Sequence, residues 1–160
     1  MPNEVIVAYL AFALSLISAG ASAITYYCGL RRQRKNATLD AYNRLQNEAL
    51  DPLYINYTKK KIQDIISKQT LDEYKEEYKC VGTYIARIEH FCTGVNLKIY
   101  DKKTVFELAE GFLNGTIGDL ISPIIEKKDR HFHGGYYENT EKVLKWLDEM
   151  SKKKWSINRE

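Results

Sequence analysis

The sequence predicts an all-α protein, with a single N-terminal transmembrane helix followed by a cytoplasmic helical bundle. Three observations predict it. The 26 residues from Val5 to Leu30 carry no charged side chain. Beyond them, apolar residues recur every three or four positions, the period of a helix face, and little alternates with period two. Arg31 to Leu50 contains neither Gly nor Pro, so the spanning helix can continue past the membrane.

A hydrocarbon core takes about 20 apolar residues at 1.5 Å rise each, which Val5–Leu30 exceeds. A cleaved signal peptide has a basic stretch before a shorter apolar run. Here Pro2, Asn3 and Glu4 precede it, and Arg31, Arg32, Arg34 and Lys35 follow. All 24 Lys and Arg lie after residue 30, so the positive-inside rule places the N-terminus outside and the bulk in the cytoplasm of a bacterial inner membrane. The expected division is residues 1–30 as the transmembrane segment, 31–52 as a juxtamembrane helix and 53–160 as a cytoplasmic helical domain. That last part is long enough to build its own core.

Proline disfavours a helical residue before it, so Asp51-Pro52 is expected to end the juxtamembrane helix, with a second helix from about Leu53 to Ser67. Thr70 with Glu73 reads as a capping box opening a central helix to about Leu97. Its apolar residues Tyr74, Tyr78, Val81, Ile85, Ile88, Cys92 and Val95 fall at alternating steps of four and three, a core-packing stripe. Asp101 or Thr104 starts another helix, Asn114-Gly115 punctuates it, and a segment around Ile117–Lys128 holds Pro123. A final amphipathic helix runs from about Glu138 to Lys154, with Val143, Leu147 and Met150 on one face.

After residue 30 there are 24 basic and 20 acidic residues, an excess too small to imply nucleic acid by itself. Cys28, Cys80 and Cys92 form no even-numbered framework and are expected as free thiols, the latter two as buried small hydrophobes.

The most informative pattern lies in the span. Ala8, Ala11, Ser15, Ser18, Ser22, Thr25 and Gly29 follow at steps of 3, 4, 3, 4, 3 and 4, which keeps small and hydroxyl side chains on one seam. A lone helix facing lipid has no use for such a line. Tight helix association would use it; so would a pore, in which four or more copies, a tetramer being the smallest such ring, turn the hydroxyls towards a narrow water path. Both uses require a homo-oligomer.

No phosphate loop, nucleophile elbow, His-Glu-x-x-His helix or Cys-x-x-Cys pair is present, so a non-enzyme without cofactor is expected. His90 and Cys92, two apart on a helix, would point away from each other, and no metal site is expected. Arg130, His131, Phe132, His133, Gly134, Gly135, Tyr136 and Tyr137 mix a guanidinium with stackable rings, as polyanion sites do; the same residues also suit a surface turn. Lys59, Lys60 and Lys61, like Lys152 to Lys154, read as solvated or anionic-lipid-facing clusters, or as a groove for an oligonucleotide if the fold joins them.

The stretch Ile85–Asn96, then Ile99-Tyr100-Asp101, Val105–Leu113, Ile124-Ile125-Glu126 and Tyr136-Tyr137 resembles a bacterial family known only as a domain of unknown function, over about residues 30 to 150. Arg130 matches a late arginine of that pattern. The resemblance implies one membrane pass and a helical cytoplasmic domain. The layout is also similar to membrane effectors of bacterial anti-phage systems, the Hailong arrangement among them. That likeness implies a pore, gated by a nucleotide or oligonucleotide signal that a nucleotidyltransferase makes. The competing expectation is a membrane-tethered protein-interaction module without a pore.

Overall fold

A computed structural model describes residues 2–68, 71–127 and 137–157. Among them there is no strand. Helix α1 runs unbroken over Pro2–Leu45, and a π-helical turn, Gln46–Leu50, hands it on to α2, Asp51–Asn56. Then come α3, Lys59–Ser67, and the long α4, Asp72–Asn96. Helix α5, Lys102–Ala109, passes through a second π-helical stretch, Glu110–Ile117, into α6, Gly118–Lys127, and α7 is Glu138–Ile157.

The N-terminal helix, long and apolar enough to cross a membrane, does continue beyond the basic cluster, as its lack of Gly and Pro predicts. The expected break at Asp51-Pro52 does not occur. Pro52 sits in the first turn of α2, and the chain leaves helical geometry only at Tyr57, whose backbone is extended. The reason is local. In an α-helix the carbonyl of Glu48 would accept from residue 52, and proline has no N–H and crowds that carbonyl. The π turn relaxes the crowding, and Arg87 from α4 donates from Nη1 to the Glu48 carbonyl at 3.0 Å, while also reaching the Glu48 carboxylate at 2.8 Å. The expected helix from Leu53 to Ser67 is accordingly two pieces, with Thr58 accepting from Lys61 N at 3.2 Å to cap α3.

Helix α4 begins at Asp72 with Leu71 in the cap position and no side-chain cap bond; Thr70, the expected capping residue, lies outside the described residues. The stripe read from the sequence is the core face: Val81, Ile85, Ile88, Cys92 and Val95 are fully buried, and Tyr74 and Tyr78 pack partly buried beside them. Burial pushes the Cys92 thiol up to about 12, whereas Cys80, expected to be buried, is exposed. Asn114 and Gly115 do not interrupt their helix; the π-helical stretch carries it through, burying Leu113 and Ile117.

One hydrophobic cluster joins the elements after the apolar half of α1. Tyr42, Leu45, Ala49, Leu50 and Leu53 enter it from the first continuous helix, Ile62 and Ile65 from α3, Ile121 and Ile124 from α6, and Val143 and Leu147 from α7. Two polar ties cross it. Glu89 of α4 receives both backbone N–H groups of Asn139 and Thr140 at 3.1 and 2.8 Å, with their side chains at 2.8 and 2.7 Å, so its carboxylate caps the start of α7. Thr38, fully buried on α1, accepts from Asp101 N at 2.9 Å and thereby docks the α4–α5 connection. Asp101 then caps α5 by accepting from Thr104 N and Oγ1 at 2.9 and 2.8 Å.

Two outcomes follow from these ties. Arg87→Ala is expected to cost about 0.5–1.5 kcal/mol because it removes an exposed hydrogen bond and ion pair at the Glu48 turn. In a Pro52→Ala background, where residue 52 regains its N–H, the same change should cost markedly less. Equal costs in a double-mutant cycle of thermal unfolding would show that the carbonyl is not what Arg87 serves. The cap bonds from Thr104 hold the Asp101 carboxyl below its ordinary range, and Lys35 and Arg31 add to that. A depressed carboxyl contributes stability above its unfolded pKa, and that contribution disappears as pH falls through the folded value. Asp101→Asn keeps a capping oxygen, so it is expected to flatten the acid limb of the stability profile; an unchanged limb would assign the acid sensitivity to other carboxylates.

Candidate functional site

The seam residues Ala8, Ala11, Ser15, Ser18, Ser22, Thr25 and Gly29 all lie on α1, and all are exposed. The most apolar window of this helix is 0% buried, and its Val7, Leu10, Leu14, Ile17 and Ile24 stand as open as the seam does. Ser22 donates to the Ser18 carbonyl at 2.9 Å and Thr25 to the Ala21 carbonyl at 2.9 Å. Their protons are thus spent on the helix's own backbone, which is how a hydroxyl is tolerated away from water. What remains outward is a line of small surfaces and acceptor oxygens. A Cβ added at Gly29 would meet nothing within 4 Å. The line therefore permits a close neighbour and supplies weak polarity, the two properties that helix packing and pore lining share.

A second feature adjoins the lower part of the same helix. A groove of about 630 Å³ runs between α1 with its π turn and α4, walled by Asp40, Arg44 and Glu48 on one side and Thr83, Arg87 and His90 on the other. Its floor is apolar and well packed: Leu45 and Phe91 are buried, Phe91 stacks on Tyr100 at 5.2 Å with planes 21° apart, and Tyr42 meets Phe91 edge-on at 5.9 Å. Tyr100 is held in place by Gly94, where any Cβ would run into the Tyr100 ring. Arg87 is engaged with Glu48, whereas Arg44 and His90 stand exposed on facing walls. The aromatic floor suits a planar ring; the walls set Arg44 and Arg87 against Asp40 and Glu48, so the groove is charge-balanced, with Arg44 and His90 the groups that could meet an anionic substituent.

The residues expected to bind a polyanion fare differently. Arg130, His131, His133 and Tyr136 lie outside the described residues. Tyr137 is described and precedes α7, its carbonyl accepting from Glu141 N at 2.9 Å and its side chain packing partly buried on the core. Lys59, Lys60 and Lys61 form the exposed first turn of α3. Lys61 is committed, with Nζ 2.7 Å from Glu77 and 5.0 Å from the centre of the Tyr57 ring. The adjoining hollow, of about 480 Å³, sets Lys60 and Lys61 against Asp64, Glu73 and Glu77, so it is not a cationic basin. Lys152 pairs with Asp148 at 2.6 Å and Lys154 with Glu110 at 2.7 Å. His90 is exposed and Cys92 buried, and among the described residues no three His, Cys, Asp or Glu side chains are grouped to hold a metal ion.

Sequence reasoning missed the groove. A signal was present: Asp40, Arg44 and Glu48 recur every four residues, and Thr83, Arg87 and His90 follow at steps of four and three, so each helix carries a polar line beside its apolar one. What it lacks is any indication that those two lines face each other.

No curated protein and no solved structure matches this chain. A family match exists, and it covers residues 13–146. It begins inside the apolar stretch of α1 and ends within α7, so the second half of that stretch belongs to the shared unit together with the groove and the core. The chain belongs to the family DUF4760, a domain of unknown function.

Proposed function

We propose that this chain is a homo-oligomeric membrane effector whose first helices surround a transmembrane pore, and that an anionic nucleotide or oligonucleotide bound by its cytoplasmic helical part opens or closes it. The observation that carries this reading is the continuity of α1. The helix that presents the seam from Ala8 to Gly29 also forms one wall of the groove, with no loop between them. In the proposed orientation the N-terminus faces out of a bacterial inner membrane and the groove faces the cytoplasm. The setting we propose is anti-phage defence, with the signal supplied by a nucleotidyltransferase.

A ligand shifts such an equilibrium only through different affinity for the two states. The groove offers a means. An anion drawn to Arg44 and His90 also competes for Arg87, and taking Arg87 from Glu48 would release the carbonyl that lies next to Pro52. The π turn is then free to change pitch, and α1 changes its tilt against α4. Because Arg31 to Leu45 is helical throughout, that tilt is delivered to the span.

The test is a cysteine scan from Ala11 to Thr25 in the intact membrane, with Cys28 replaced. Water-soluble thiol reagents are expected to react most at Ser15, Ser18, Ser22 and Thr25, because thiols facing lipid stay protonated and shielded. Modification there should block a single-channel current, and Ser18→Phe should abolish the current while leaving the oligomer assembled. Arg44→Ala should remove the response to a panel of nucleotides and short oligonucleotides without removing the oligomer. A uniform unreactive scan with silent bilayers, with and without the panel, would sink the pore and leave a tethered interaction module whose span only packs.

A further inference from the structure

We propose that the turn Leu97-Lys98-Ile99 is a second membrane contact, in which Leu97 and Ile99 enter the headgroup layer of anionic phospholipids and Lys98 meets their phosphates. This rests on α1 spanning the bilayer. It concerns a different surface from the groove and the seam.

The register between α1 and α4 places the turn. Along α4, Arg87 meets Glu48, Phe91 meets Tyr42, and past its end Asp101 meets Thr38. The two helices therefore run antiparallel, and α4 advances towards the end of the span as α1 recedes from it. Six residues beyond Phe91, Leu97 is level with α1 at about residue 36, which is about 9 Å past Leu30. The headgroup layer is about 5–8 Å deep on each side of the hydrocarbon, so the backbone of the turn sits at its outer edge and the Leu97 and Ile99 side chains would reach back into it. Asp101 gives the same placement, since Arg31 and Lys35 both act on its carboxyl.

Two large apolar side chains stand open there, as Tyr54 and Ile55 do elsewhere, but here they flank a cation. Leu97 is 67% exposed and Ile99 56%, on either side of an exposed lysine. The turn is rigid: Lys98 N donates to the Val95 carbonyl at 3.1 Å and Ile99 N to the Gly94 carbonyl at 3.0 Å, a Schellman closure of α4. Its left-handed position, φ 60°, is occupied by Lys98, where glycine is the usual residue. Fold stability alone would favour glycine there; a lysine between two outward apolar side chains suits a lipid surface. Arg31, Arg32, Arg34 and Lys35 face the same layer from α1, so turn and helix end form one cationic rim around two apolar tips. The turn would fix the tilt of the span, since Thr38 binds it to α1.

Single cysteines at Leu97, Ile99, Leu71 and Ile17 test this in the full chain, with Cys28 and Cys80 replaced and the buried Cys92 left in place. Leu71 is as exposed as Ile99 but lies at the opposite end of α4, about 37 Å away. Each protein carries an environment-sensitive fluorophore in vesicles of phosphatidylcholine, with or without phosphatidylglycerol, that contain in turn a shallow lipid-borne quencher, read at Leu97, Ile99 and Leu71, and a bilayer-centre quencher, read at Ile17. Quenching is expected at Leu97 and Ile99 and lost at Leu71. It should increase with phosphatidylglycerol and fall in Lys98→Gly, a change that should raise the melting temperature. Quenching at Ile17 without quenching at Leu97 and Ile99 would overturn the contact and leave the span intact. Its absence at Ile17 as well would overturn both. Shielding at Leu97 and Ile99 that follows protein density instead of the quencher would assign the patch to a second copy, which also overturns the proposal.

Discussion

Everything in this chain depends on one helix being two things at once. From Val5 to Leu30 α1 carries no charge and, among the described residues, is exposed throughout, an area of exposed hydrocarbon far beyond what a soluble surface carries. From Thr38 onwards the same helix has a buried side, with Thr38, Tyr42 and Leu45 facing inward. Burying a Leu or Ile side chain contributes about 1.5–3 kcal/mol, so the inner half is fixed in the core by several such contributions, while the apolar half is long and apolar enough to cross a membrane. No joint separates them, and the orientation of the core therefore constrains the tilt of the apolar half.

The ties that close the core share one chemistry: a backbone group that its own helix cannot satisfy is taken by a side chain distant in sequence. Arg87 serves the Glu48 carbonyl, Glu89 serves the first N–H groups of α7, and Thr38 serves the N–H of Asp101. Arg87 and Glu89 stand two residues apart on α4, so they project to nearly opposite sides of it. Helix α4 thereby grips α1 with one and α7 with the other while its apolar stripe fills the space between. Such bonds contribute about 1 kcal/mol each; at the part-buried ones, made by Glu89 and Thr38, leaving the partner unpaired would cost more than that, and so they select this arrangement over near relatives.

Much of this was legible in advance. The long apolar N-terminal helix, its continuation past the basic cluster, the stripe from Tyr74 to Val95 and a helix start at Asp101 or Thr104 all follow from composition and local spacing, which are properties of short segments. The failures are long-range. Asp51-Pro52 reads as a stop because the rule for proline counts only the helix it interrupts; the donor that rescues the Glu48 carbonyl is 39 residues away. Asn114-Gly115 reads as punctuation for the same reason, yet Leu113 and Ile117 gain enough burial to carry the helix through. The groove was invisible because its walls are two separately unremarkable polar lines. Cys80 was misjudged by averaging over a residue type that is usually buried.

The positions of these long-range ties also bear on how motion can travel. A rigid rod between membrane and core transmits displacement only if something at its inner end can yield. Along the run from Pro2 to Asn56, the departure from α-helical hydrogen bonding is the π turn at Gln46–Leu50, beside the groove and stabilised from outside by Arg87. Widening or tightening a π turn costs little compared with bending an α-helix, because its hydrogen bonds are already displaced. At the other end of the lever, Thr38 and the α4–α5 turn hold α1 close to where the span ends. On the proposed reading, a fulcrum near residue 38 and the π turn ten residues further in would let a small change at Arg87 become a rotation of the apolar half about Thr38. The seam from Ala8 to Gly29 lies on the long arm of that lever.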